Sequence, residues 1–155
     1  MDAAPALTSL GICVGAAAIE GLCAGTGVKT FFATLRAPKY SAPLSVWYAI
    51  GVGYYLTFGF ILYRLLTRSA YAPLTLVVTM MLANAVWNFV FFRARNLYVA
   101  FATGTLAPLL DIPLFLWLLQ LDSLAALALF PYLVYRGYAV WWGYALWVAN
   151  RDITA

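Results

Sequence analysis

Histidine is absent from all 155 residues, and only 9% of positions carry a charge. Without histidine the chain lacks the usual imidazole base and the commonest ligand for zinc or haem iron. Ser-His-Asp chemistry and zinc catalysis are therefore excluded, and no metal or cofactor is expected. The shortage of charge excludes a water-soluble domain, which carries charge at about a quarter of its positions. It also excludes disordered chain and a coiled-coil rod. Cysteine is scarce too. Cys13 and Cys23 lie in one apolar run, about 15 Å apart on a straight helix, too far for a mutual disulfide. They read as small packing residues.

What the chain has in abundance is apolar surface, at 66% hydrophobic and 17% aromatic residues with a mean hydropathy of +0.91. The bilayer is the solvent this composition fits. A transmembrane helix takes roughly 20 apolar residues, so five spans use about 100 positions, and no second domain fits in the rest. The sequence predicts an all-α integral membrane bundle of five helices, at about residues 6–25, 46–66, 72–92, 97–119 and 123–150. Met1 is followed by Asp2 with no basic segment, so the first run reads as a retained helix rather than a signal peptide. Pro108 and Pro113 fall inside the fourth helix, where they kink it.

The net charge of +4 follows topology rather than nucleic acid, which is not an expected partner. Lys29, Arg36, Lys39, Arg93, Arg95 and Arg151 fall at one end of the bundle, against Arg64 and Arg68 at the other. That bias places the N-terminus outside and the C-terminus in the cytoplasm. In the first helix, Gly11-x-x-x-Gly15 and Gly21-x-x-x-Gly25 allow close helix approach, within the chain or from a second copy. The Lys29–Ser45 connection holds Pro38, Pro43 and several aromatics. It reads as a lid over a cavity mouth, as an interfacial segment, or as both.

Five helices, a Pro-rich aromatic first loop and many tryptophans resemble the TspO/translocator protein family, the tryptophan-rich sensory proteins. Asn84-Ala-Val-Trp87-Asn88-Phe-Val-Phe91-Phe92 resembles the family's Asn-x-x-Trp-(Ser/Thr)-x-x-Phe-Phe signature on the third helix. Phe31-Phe32-x-x-Leu35-x-x-Pro38 stands in for Trp-Tyr-x-x-Leu-x-Lys-Pro, with Pro43 as the second proline. Gln120-Leu121-Asp122, then Pro131-Tyr132-Leu133, resemble the fourth-to-fifth connection, and Asn150 falls where the fifth helix ends in Leu-Asn. The chain departs from the pattern at Lys39-Tyr40, Gly51, Tyr135-Arg136 and Gly143, positions that line or cap the family's ligand cavity. The resemblance implies a homodimeric, multi-pass membrane protein whose pocket opens toward the first loop. It implies a hydrophobic small-molecule partner, a porphyrin, sterol or isoprenoid, alongside membrane lipid.

Asn84, Trp87 and Asn88 lie at i, i+3 and i+4, so they share a helix face that Phe91 continues. With Trp47, Phe115, Tyr135 and Arg136 they are the candidate ligand-binding residues: aromatic planes for a flat ligand and a few polar groups to orient it. Asp111 and Phe115, at i and i+4, are expected on the same cavity. Ionisable groups within a membrane are functional by default, and the sequence offers Glu20, Asp111 and Arg136. Three readings stand open. Glu20 and Asp111 act as acid and base of an intramembrane isomerase, cyclase or tetrapyrrole-modifying enzyme; or Arg136 pairs with one of them and pins helices; or tilt brings Glu20 to an interface. Leu129-x-x-Tyr132-x-x-x-Arg136 also fits a loose cholesterol pattern.

Overall fold

The structure, a computed structural model, describes residues 3–152. The signal-peptide reading rests on Met1 and Asp2, which lie outside the described residues. Among the described residues there are five apolar helical spans: α1 (Ala3–Ala24), α3 (Leu44–Thr67), Tyr71–Arg93, Leu97–Leu121 and α7 (Ser123–Ala149). The third span is α4 (Tyr71–Asn88) extended by a π-helical turn, Phe89–Arg93. The fourth divides into α5 (Leu97–Leu106) and α6 (Pro108–Leu121). The expected kink is thus a break at Pro108, whose ring has no N–H and crowds the carbonyl four residues back. Pro113 stays inside α6.

The first connection holds more structure than its prolines suggest. Val28–Thr34 forms a short helix, α2, before residues 35–43 run as loop. Helix ends use local devices. Gly25, with φ +72, turns the chain out of α1 and its N–H bonds Gly21 O at 2.9 Å, a left-handed exit that glycine makes without strain. After α3, Ser69 N–H reaches Leu66 O and Ala70 N–H reaches Leu65 O, the paired bonds of a Schellman ending. Asp122 is the whole of the α6–α7 connection and caps α7, accepting from Leu124 N and Ala125 N at 3.2 Å each.

α1 packs on α3 and α4, and α7 packs on α3, α5 and α6. Cys13, buried in α1, sits over Gly59 of α3, where an added Cβ would come within 3.3 Å of its sulfur. That contact sets the α1–α3 approach. Cys13 and Cys23 are both free thiols. Gly11 and Gly15 face outward with nothing within 4 Å of an added Cβ, so they support no packing within the chain. Two cores result. Phe58, Ile61, Leu62, Val77, Leu114 and Leu129 fill one with neighbouring aliphatics, and Phe31, Phe91, Leu97, Trp142 and Leu146 form an aromatic one beneath the first loop. The space between them is incompletely filled, and the candidate site occupies it.

Candidate functional site

The helices leave three adjoining cavities, of about 380, 330 and 60 Å³. Asn84, Trp87 and Arg136 line all three and form the partition between them. The shared face expected on α4 therefore points into the bundle. Trp87 is fixed at both ends, its Nε1 donating to Ala100 O at 2.9 Å and its ring stacked on Phe91 at 4.9 Å. Asn88 donates back to Asn84 O at 2.9 Å and lines only the largest cavity.

The largest cavity is walled by Trp47, Trp87, Phe91 and Trp142, with Phe32 of α2 and Leu44 closing the first-loop side. Trp47 and Trp142 meet at 4.4 Å, and Tyr135 abuts Trp47 edge-on at 6.2 Å. Glu20 enters this cavity from α1, within polar reach of Asn84 and Tyr55. Its Oε1 is buried without a hydrogen bond, as are the hydroxyls of Tyr54 and Tyr55 on the facing wall of α3. Gly51 leaves open space one turn away on α3, where an added Cβ would meet nothing within 4 Å.

Asp111 lies on the second cavity. Its Oδ2 is bridged by Arg136 Nε at 2.8 Å, while Arg136 Nη2 donates to the Tyr132 hydroxyl. Of the partners open to Arg136, the structure selects Asp111 and links α6 to α7. Glu20 and Asp111 face different cavities with the Asn84–Trp87–Arg136 partition between them. Phe115 lines none of the three. It packs against the aliphatic core and the ring of Phe130 at 6.4 Å, because Pro113 and the break at Pro108 leave only Asp111 of that expected pair turned toward a cavity. The Leu129–Tyr132–Arg136 pattern is not presented to lipid either, since Leu129 is wholly buried and Arg136 is paired.

Over the largest cavity the first loop is held down by side chains that the sequence did not single out. Asn150, wholly buried at the end of α7, clasps the Arg36 backbone from both sides. Its Oδ1 accepts from Arg36 N at 2.8 Å, and its Nδ2 donates to Arg36 O at 3.1 Å and to Leu146 O at 2.8 Å. The Tyr138 hydroxyl accepts from Ala42 N at 3.0 Å and donates to Tyr40 O at 3.1 Å. Trp142 Nε1 donates to Ser41 Oγ at 2.8 Å, and Trp47 Nε1 to Ala42 O at 3.1 Å. The segment is therefore a roof latched to α7. The aromatic spacing on α7, with Tyr138 and Trp142 at i and i+4, was the available signal.

At the far end, Asp122 is almost wholly buried between Arg64 Nε at 2.5 Å and Arg68 Nη1 at 3.0 Å. The hydrogen bond from Arg64 holds its carboxyl below the usual carboxylate range against the opposing effect of burial, helped by the Ala125 N–H.

No individual curated protein matches the chain. The sequence profile of the TspO/MBR family does, over residues 9–148. That stretch takes in all five spans, the first loop and every cavity wall described above, and so the chain belongs to the TspO/MBR family.

Proposed function

We propose that this membrane protein binds a flat hydrophobic molecule, a porphyrin or other tetrapyrrole, a sterol or an isoprenoid, in its largest cavity. The carrying observation is an aromatic-walled space of about 380 Å³ under a latched roof. Small-molecule clefts run from roughly 300 to 1,000 Å³. The ligand enters when the first loop lifts from α7, lies against Trp47, Trp87 and Phe91, and is oriented by Asn84 and Asn88. Family membership supports the same reading. An acid–base enzyme draws less support: Asp111 is engaged by Arg136 and does not share a cavity with Glu20.

The roof end carries Lys29, Arg36, Lys39, Arg93, Arg95 and Arg151, so the proposed orientation puts the cavity mouth at the cytoplasmic face. The test of binding is Trp87→Ala. Losing one buried aromatic contact weakens a stacked ligand by about 1–3 kcal/mol. Titration with protoporphyrin, read by quenching of the remaining tryptophans, measures it. Unchanged affinity in a variant with wild-type circular dichroism would remove Trp87 from the site.

A further inference from the structure

The largest cavity has a charge and hydrogen-bond imbalance that aromatic stacking does not address. Among the described residues lining it, the ionisable ones of opposite sign are Glu20 and Arg136. Arg136 is already matched by Asp111 at 2.8 Å, with Tyr132 on its second nitrogen. Taken together, Glu20, Asp111 and Arg136 carry one uncompensated negative charge, and it resides on Glu20. The unsatisfied atoms fall at the same place. Glu20 Oε1 and the hydroxyl oxygens of Tyr54 and Tyr55 are buried without partners and line this one cavity. All three can accept a hydrogen bond, and buried acceptors left unmade are unfavourable.

Access is provided by small residues. Ala17, Gly21 and Ala24 flank Glu20 on the cavity wall of α1, and Gly51 leaves room on α3 beside the two tyrosines. The group that fills this corner must carry several N–H donors and a positive charge, on a body flat and apolar enough to lie between Trp47 and Trp87. An alcohol supplies one donor and no charge. A carboxylate adds repulsion.

We propose that Glu20, Tyr54 and Tyr55 form a subsite for a protonated amine, so that the cavity selects apolar aromatic molecules bearing one basic nitrogen. The proposal rests on the reading of this cavity as a hydrophobic ligand site and deepens it. The ammonium's N–H groups meet Glu20 Oε1 and the two hydroxyls while the apolar body stacks on the tryptophans.

The test compares three pyrene probes of nearly equal size, aminomethylpyrene, pyrenemethanol and pyrenecarboxylic acid. Each is titrated into the full-length protein in nanodiscs of neutral phosphatidylcholine, where the membrane itself favours neither charge. Energy transfer from tryptophan to pyrene reports occupancy, and empty nanodiscs give the partitioning background. Wild type is expected to bind the amine at least about tenfold tighter than the alcohol, the scale of a charge-assisted hydrogen bond. Glu20→Gln is expected to bring that ratio close to one with alcohol affinity retained, and Tyr55→Phe to reduce it partly. Equal binding of all three probes by wild type overturns the amine subsite and leaves the hydrophobic cavity standing. Preference for the carboxylate overturns it in favour of Arg136. Absence of saturable binding by any probe overturns the subsite and the cavity reading together. The wild-type ratio decides the matter even where a variant does not fold.

Discussion

Asn150→Ala isolates the roof from the rest of the bundle. Two of its hydrogen bonds cross from α7 to the first loop, both to the Arg36 backbone. Each contributes about 0.5–1.5 kcal/mol net, so their loss favours the lifted loop by about 1–3 kcal/mol and raises its population roughly 5- to 150-fold. The neighbouring Arg36–Asp152 ion pair offsets little of this, because both side chains are about 60% exposed and such pairs are weak. Trypsin provides the readout, since the Lys39–Tyr40 bond lies in a tight turn closed by Ser41 N–H to Pro38 O at 3.1 Å and must open to be cut. When opening is fast relative to cleavage, the rate follows the open population. Cleavage after Lys39 in detergent-solubilised variant should accelerate at least about fivefold, with bound protoporphyrin leaving faster in step. A folded Asn150→Ala protein that is cut within about twofold of the wild-type rate would refute the latch.

Asp122 sets the acid limit of stability. Its carboxyl is depressed in the fold, so its contribution is complete above the unfolded value near 3.9 and is lost as pH falls through the folded value. Thermal unfolding should therefore weaken below about pH 4 in wild type. Asp122→Asn should start from a lower melting temperature at neutral pH and lose less on acidification. For the intramembrane pair, Asp111→Asn alone should destabilise by about 3–5 kcal/mol because Arg136 is stranded, whereas Asp111→Leu with Arg136→Met should cost far less. Equal losses in single and double variants, measured by unfolding in mixed micelles, would remove the pair from the stability account. Orientation is checked with a cysteine at Ser41 in a protein lacking Cys13 and Cys23. An impermeant maleimide should label it only after permeabilisation, and ready labelling of intact cells would invert the topology.

The spans were legible because hydropathy and length fix them with little help from packing. The inward face of α4 was legible from helical spacing alone. Other features depend on tertiary placement. Val28–Thr34 forms a helix despite the two prolines because both lie beyond its end, where they shape only the loop. Nothing in Asp111 and Phe115 at i and i+4 reveals that one turns inward and the other packs on Phe130. Choosing Asp111 over Glu20 as the partner of Arg136 required the relative rotation of α1, α6 and α7, which no single helix encodes. Asn150 resembled a family position, but its grip on the Arg36 backbone joins residues 114 apart in the chain. Tyr54 and Tyr55 looked like ordinary interface aromatics until their hydroxyls were seen to lack partners.

The wide turn at Phe89–Arg93 makes chain length, and not only residue identity, a constraint at the cavity wall. Ala94 N–H reaches back five residues to Phe89 O at 2.9 Å, a ring one residue larger than the α-helical one. Deleting a single residue there would restore regular α-helix, yet it would swing everything beyond by about 100°. Arg93 would leave the Leu22 carbonyl that it meets at 3.3 Å, and Arg95 would leave the face of Phe31, now 5.3 Å away. Those two contacts moor the end of α4 to α1 and α2. A one-residue deletion would thus improve the helix and unmoor the roof, so the segment can exchange side chains more freely than it can change its number of residues.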